Sequence, residues 1–155
     1  MAMVRVRCIV EDADAREALR QVADYRRWAE ASDSVRSVVV EPGENGASTS
    51  FWDIVFRGGI MKWSEADRTD LDSLIHRFDL IEGDPHGFSG TWTAEQRNGG
   101  CELRMDADFD LGMPSLGHVL DPIAIEALED AVADVVRNLF GDKVRIAFGE
   151  PASTQ

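Results

Sequence analysis

Between Cys101 and Leu111, apolar and polar residues alternate without a break. Leu103, Met105, Ala107, Phe109 and Leu111 share one face, and Glu102, Arg104, Asp106, Asp108 and Asp110 share the other. This is the period-two pattern of a strand with one face buried and one in water. After Gly112-Met113-Pro114 the period lengthens. Polar residues recur at Glu126, Asp130, Asp134 and Arg137, while Ile123, Ala127, Leu128, Val132, Val135 and Leu139 fill the opposite arc. The spacing predicts a long amphipathic helix that ends at Gly141.

The same reading covers the rest of the chain. Residues 3–10 form a strand with Val4, Val6, Cys8 and Val10 on one face. Asp12 or Asp14 caps a helix that turns Ala15, Ala18, Leu19 and Val22 inward, and a short second helix from Tyr25 to Ala31 carries Trp28. Strands are then predicted at 35–41, 48–57, 60–68, 73–82, 88–97 and 101–111, separated by turn signals such as Gly58-Gly59 and Asn98-Gly99-Gly100. The order β-α-α-β6-α, with helices confined to the ends of an antiparallel run, indicates an α+β fold. Seven strands are too many to lie flat. Twist curls such a sheet around the last helix, and incomplete closure leaves a cavity between them. Residues 1–148 are read as one domain and 149–155 as a disordered tail.

Composition narrows the partners. The 155 residues carry 29 acidic and 16 basic side chains, a formal charge of -13, with no basic run. That excludes nucleic acid and anionic membrane surfaces as expected partners. No stretch approaches signal-peptide or membrane-span length, so the expectation is a soluble, cytoplasmic protein. Cys8 and Cys101 read as reduced thiols in strands. Asp106, Asp108 and Asp110 imitate the start of a calcium loop, but they alternate with apolar residues and no glutamate completes the set. The three histidines and two cysteines lack metal-ligand spacing and Gly58-Gly59 is too short for a dinucleotide fingerprint, so neither a metal nor a dinucleotide cofactor is expected.

Several segments carry a family likeness: Phe51-Trp52-Asp53-Ile54-Val55-Phe56-Arg57-Gly58-Gly59, Lys62-Trp63-Ser64-Glu65, Ile81-Glu82-Gly83, Gly90-Thr91-Trp92 and Phe109-Asp110-Leu111-Gly112-Met113-Pro114. Over roughly residues 3–141 the chain resembles the polyketide cyclase and coenzyme Q-binding group of the helix-grip superfamily, which includes START domains and the birch-pollen allergen. The resemblance implies a curved sheet gripping a long helix around an apolar cavity. It also implies one of two functions. The first is a polyketide cyclase or aromatase, performing a cofactor-free aldol cyclisation and dehydration of a poly-β-ketone. The second is a non-catalytic carrier of a quinone, lipid or other apolar molecule. An acyl carrier protein or polyketide synthase would be the macromolecular partner of the first. The protein itself would be a monomer or a homodimer.

Cyclisation needs a bent substrate, a donor at the attacked carbonyl and a group that moves protons. On the strand at 60–68, Lys62, Ser64 and Ala66 are expected to face the cavity and Trp63, Glu65 and Asp67 to face away. The aromatase/cyclases it resembles carry a tryptophan, a serine and an arginine in the inward set. Here Ser64 matches, Lys62 stands at the tryptophan position and Ala66 at the arginine position. Ser64, Lys62 and His76 are therefore the catalytic candidates, His76 because it shares a face with Leu74, Phe78 and Leu80 and titrates near neutrality. Trp28, Trp52, Trp92, Met105, Phe109, Ile123 and Ala127 are the expected walls. Tyr25 is read as packing against Trp28, and His118, at the entry to the final helix, as either capping backbone groups or bordering the pocket mouth.

Overall fold

The computed structural model describes residues 2–56, 59–113 and 117–149, with the side chains of Gly117 and His118 left aside. Eight strands, one more than the pattern predicts, form one antiparallel sheet. They are β1 (Ala2–Glu11), β2 (Val35–Pro42), β3 (Ala47–Phe56), β4 (Gly59–Asp70), β5 (Ile75–Gly83), β6 (Gly87–Arg97), β7 (Gly100–Asp110) and β8 (Val144–Phe148). Their spatial order is β2-β3-β4-β5-β6-β7-β1-β8. Helix α1 (Ala15–Val22), a 3-10 turn (Tyr25–Arg27) and helix α2 (Trp28–Ala31) lie between β1 and β2, and helix α3 (Gly117–Phe140) precedes β8.

Hairpins explain the run from β2 to β7, and one long connection explains the rest. The pieces between β1 and β2 carry the chain from near one edge of the sheet to the other. Asp14 caps α1 by accepting the Glu17 N–H, and Ala15, Ala18, Leu19 and Val22 are buried, as the spacing predicted. The additional strand follows a turn at Gly141, whose φ of 60° is cheap only for glycine. From there Val144, Arg145, Ile146, Ala147 and Phe148 pair with β1, from Val10 back to Val6. The tail expected from 149 onward starts with an ordered contact, since the Gly149 N–H donates to the Arg5 carbonyl. The remainder of that tail, Pro114 and the His118 side chain lie outside the description.

The inner face of the sheet and α3 bury a single core. β1 contributes Val4, Val6, Cys8 and Val10, and β7 contributes Cys101, Leu103, Met105, Ala107 and Phe109, all facing α3. Both cysteines are buried and free, and burial pushes the Cys8 thiol up to about 12. Along α3 the buried residues are Asp121, Ala124, Leu128, Ala131, Val132, Ala133, Val135 and Val136. Ile123 and Ala127 are only half-buried. The buried stripe keeps Leu128, Val132 and Val135 of the predicted arc, adds Ala124, Ala131 and Val136, and leaves Ile123, Ala127 and Leu139 at its half-buried margin.

The largest correction concerns β4. Met61, Trp63, Glu65 and Asp67 face the interior, whereas Lys62, Ala66 and Arg68 are exposed. Direct cross-strand partners lie on the same side of a sheet, and Trp52 pairs with Trp63 while Ser50 pairs with Glu65. Once Trp52 is inside, Trp63 must be. The expected inward set of Lys62, Ser64 and Ala66 is therefore the outward set, displaced by one residue.

Candidate functional site

Beneath the middle of α3, aromatic side chains from five elements converge. Tyr25 and Trp28 come from the connection after α1, Trp52 from β3, Trp63 from β4 and Trp92 from β6. Tyr25 stands edge-on to Trp28 and Trp52, with ring centroids 5.3 and 4.8 Å apart. Trp52 and Trp63 are stacked, 5.7 Å apart with planes 5° from parallel. Phe78, Phe88, Met105, Leu128 and Val132 complete the enclosure. The space left between these walls is about 30 Å³. That is room for a water or two, against some hundreds of Å³ for a drug-sized ligand. A ligand can enter only if the aromatic side chains or α3 move.

Two polar systems meet this apolar space. In the first, the Tyr25 hydroxyl lies 2.8 Å from His76 Nε2, and His76 Nδ1 lies 2.7 Å from Thr69 Oγ1. Burial lowers the His76 pKa to about 4, so its imidazole is neutral at pH 7. Tyr25 is held well above its ordinary value, first by burial and then by the neighbouring Glu65 and Asp67. Both groups are uncharged, and the two imidazole tautomers correspond to two directions of the same chain. In one, Tyr25 donates to Nε2. In the other, Thr69 donates to Nδ1, Nε2–H donates to Tyr25, and the phenol proton is free for a third group.

The second system is the carboxyl pair on β4. Trp63 Nε1–H donates to Glu65 Oε1 at 2.8 Å. Trp52 Nε1–H donates to Ser50 Oγ at 2.8 Å, and Ser50 donates in turn to Asp67 Oδ2 at 2.5 Å. The other Asp67 oxygen, Oδ1, is buried and receives no N–H or hydroxyl. Glu65 is hydrogen-bonded to Asp67 and is held well above the usual carboxylate range, chiefly by burial, then by that hydrogen bond and the Asp67 charge. Asp67 is raised as well by burial, while its hydrogen bonds from Glu65 and Ser50 pull it down. One proton shared between the two accounts for every contact: Glu65 is the acid, Asp67 the carboxylate that accepts from it.

The structure brings together Trp28, Trp52, Trp92, Met105 and, behind Phe88 at 5.7 Å, the fully buried Phe109. His76 joins them through Tyr25 rather than by lining the cavity itself. Ser64 and Lys62 are not part of the group. They border a shallow groove on the outer face with Phe51, Asp53 and Glu82, and Lys62 Nζ is 3.7 Å from Asp53. Nor do Ile123 and Ala127 line the space, which meets Leu128, Ala131 and Val132 instead. Glu65 and Asp67 were missed because the family resemblance sets Lys62, Ser64 and Ala66 on the inner face of β4, and Ser50 because a lone serine in a strand gives no signal of its own. The signal that would have found them is the pairing of Trp52 with Trp63 across a tight hairpin.

A family model described as polyketide cyclase/dehydrase and lipid transport matches residues 12–136. The chain belongs to that family. Among solved structures, a protein from Thermus thermophilus superposes with a TM-score of 0.78 at 23% identity, over 89% of this chain and 94% of that one. An aromatase/cyclase from a Streptomyces species gives 0.70 at 16% identity, over 90% and 98%. A START superfamily protein from Mycobacterium smegmatis gives 0.70 at 15%, over 88% and 97%. At these identities the likeness establishes the helix-grip fold and no more. No curated protein matches the sequence. Among the described residues no helix is long and apolar enough to cross a membrane.

Proposed function

We propose that this family member is a cofactor-free polyketide cyclase or aromatase that folds a poly-β-ketone against the aromatic wall and closes a ring by aldol condensation. The observation that carries the reading is the buried Tyr25–His76 pair at the edge of an otherwise apolar enclosure. A poly-β-ketone is acidic between its carbonyls and cyclises readily, so an enzyme need only choose the conformation and polarise one carbonyl. Stacked indoles suit the first task, because flat enolised segments lie along ring faces. Tyr25 suits the second, with its proton released toward a substrate oxygen when Thr69 and His76 donate back along the chain. His76 then acts through Tyr25 as a positioning residue. Arg26 and Arg27, exposed on the turn that buries Tyr25 and Trp28, are the cations best placed to receive an acidic acyl carrier protein.

A carrier reading is favoured by one observation: apart from Tyr25 and Glu65, the walls are apolar or indole rings. The two readings separate on a linear poly-β-ketone thioester. The expected result is a single dominant cyclised product with wild type and loss of that selectivity in Tyr25→Phe, followed by chromatography and mass spectrometry. A product mixture identical to the spontaneous one, together with an apolar molecule retained in native mass spectrometry, would replace the cyclase with a carrier.

A further inference from the structure

Glu65 and Asp67 sit at core positions of β4, where two buried carboxyls carry a desolvation cost that a Gln–Asn pair accepting the same hydrogen bonds from Trp63 and Ser50 would avoid. Glu65 is 2% exposed, and its carboxyl is the only carboxyl among the described residues lining the enclosure. Apart from Tyr25, its neighbours there are indole, phenyl and aliphatic side chains that cannot take or give a proton in water's range. The groups facing it are Trp63, whose N–H it accepts, Asp67 beside it on β4, and Tyr25 from the connection after α1; His76 on β5 stands behind Tyr25. Asp67 does not line the enclosure and is fixed from behind by Ser50 and Trp52.

We propose that Glu65 is a general acid–base residue that dehydrates a β-hydroxyketone held in the enclosure, with Asp67 as the positioning residue that keeps its proton in place. This rests on the cyclase reading, since a β-hydroxyketone is what an aldol addition leaves. The step balances without a co-reactant. Glu65 gives its proton to the departing β-hydroxyl, the C–O bond breaks, and water leaves. The electrons of the α C–H bond form the new C=C bond conjugated to the ketone, and the α-proton returns to the Glu65–Asp67 pair. The pair begins and ends with one proton. Two adjacent buried carboxylates resist carrying two charges, which drives both the return of the proton and the neutrality of Glu65 beforehand. Tyr25, on the facing wall, can hold the ketone oxygen during the same step.

The test uses the full chain and the aldol adduct of benzaldehyde and acetone, whose dehydration to the conjugated enone is followed by absorbance. Glu65→Gln keeps both hydrogen bonds, because its amide N–H can serve Asp67 and its carbonyl can accept from Trp63, so folding is preserved. The expected result is a fall in kcat of about 100-fold or more with KM within a factor of a few. In Asp67→Asn the loss should grow with pH, because Glu65 then ionises at a lower pH than in wild type. Independently, the Trp63 indole N–H resonance should titrate with a midpoint above the ordinary carboxylate range, and this titration should vanish in Glu65→Gln. A wild type that leaves the adduct at the buffer rate, a Glu65→Gln variant within about threefold of wild type, or a Trp63 resonance without that titration overturns the assignment. If the poly-β-ketone is not cyclised yet adduct dehydration still depends on Glu65, the cyclase reading fails and the acid–base site stands.

Discussion

Two glutamates are buried on opposite faces of the same sheet, and they are in opposite charge states. Glu65 on β4 faces α3 among tryptophans and is held neutral. Glu102 on β7 faces outward and is 1% exposed, yet its pKa is lowered to about 2, first by its hydrogen bond from Arg7 and then by Arg104. Arg7 Nε and Arg104 Nε each donate to it at 2.6 Å, and Arg97 closes over its other oxygen. Burial alone therefore says nothing about charge. What decides it is whether cations came along. On the outer face three guanidinium stems cover the carboxylate with their methylenes and neutralise it with their heads. Inside, the only partners are neutral donors and another acid, so the proton stays.

The difference is largest in how stability should respond to pH. His76 is depressed from 6.5 to about 4, so between those values the unfolded chain binds a proton that the folded chain does not. Its contribution is lost as pH falls through that window, by roughly 3 kcal/mol over the full interval. Glu65 has the opposite sign. Its folded pKa is raised above the ordinary 4.5, so its contribution is present below 4.5 and is lost as pH rises through the folded value. The two slopes oppose each other from about pH 4.5 upward, as far as the lower of 6.5 and the folded Glu65 value. Urea denaturation of wild type should be nearly flat there, whereas Glu65→Gln should expose the His76 slope and rise with pH. Glu102 stays out of this window, since a depressed acid loses its contribution only as pH falls below 4.5 toward about 2. A wild type as steep as Glu65→Gln would mean that Glu65 is ionised in the fold.

One substitution made at both sites gives the next largest contrast. Glu102→Gln removes the charge that three guanidinium groups share and should cost about 2 kcal/mol at pH 7 in urea denaturation. The figure sits below that for a fully enclosed ion pair because the arginine side chains remain about half exposed, at 47, 43 and 53%. Glu65→Gln substitutes one neutral hydrogen-bonding group for another and should change stability by less than about 0.5 kcal/mol at about pH 4, below the value at which unfolded Glu65 ionises. Equal losses at both positions would show that the inner carboxyl is as charged as the outer one.

The fold could be read because its apolar alternation is strong where the core is thickest. In β7 every second residue from Leu103 to Phe109 is apolar and buried, and in β1 Val4, Val6, Cys8 and Val10 do the same. The inner face of β4 could not be read that way. Glu65 and Asp67 occupy core positions because protonation and hydrogen bonds hide them, and a hydropathy pattern counts them as charged. Only the register could have corrected this, since Phe56 pairs with Gly59 and Trp52 with Trp63, so the inward Trp52 fixes the face of its partner. The missing edge strand has a different cause. β8 is five residues long, three of them exposed, and its pairing with β1 is set by a turn at Gly141 rather than by a strong pattern of its own.

The smallest expected effect lies with Ser64, which the family resemblance favoured, and with Lys62, the cation expected on the same face. Lys62 is exposed on the outer face, and its contact with Asp53 at 3.7 Å is the kind of surface ion pair that contributes less than about 1 kcal/mol. Ser64 stands beside it, one residue from Glu65 and on the other side of the strand. Lys62→Ala and Ser64→Ala should each leave adduct dehydration and poly-β-ketone product distribution within a factor of about two of wild type, with stability changed by less than about 1 kcal/mol. The side chains are separated from the enclosure by the sheet itself, and no movement of α3 or of the tryptophans brings them through it. If either substitution abolished turnover while Glu65→Gln did not, the reactive surface would be the outer groove between Phe51 and Glu82. The neutral carboxyl inside would then be a packing feature, and the contrast between the two glutamates would concern stability alone.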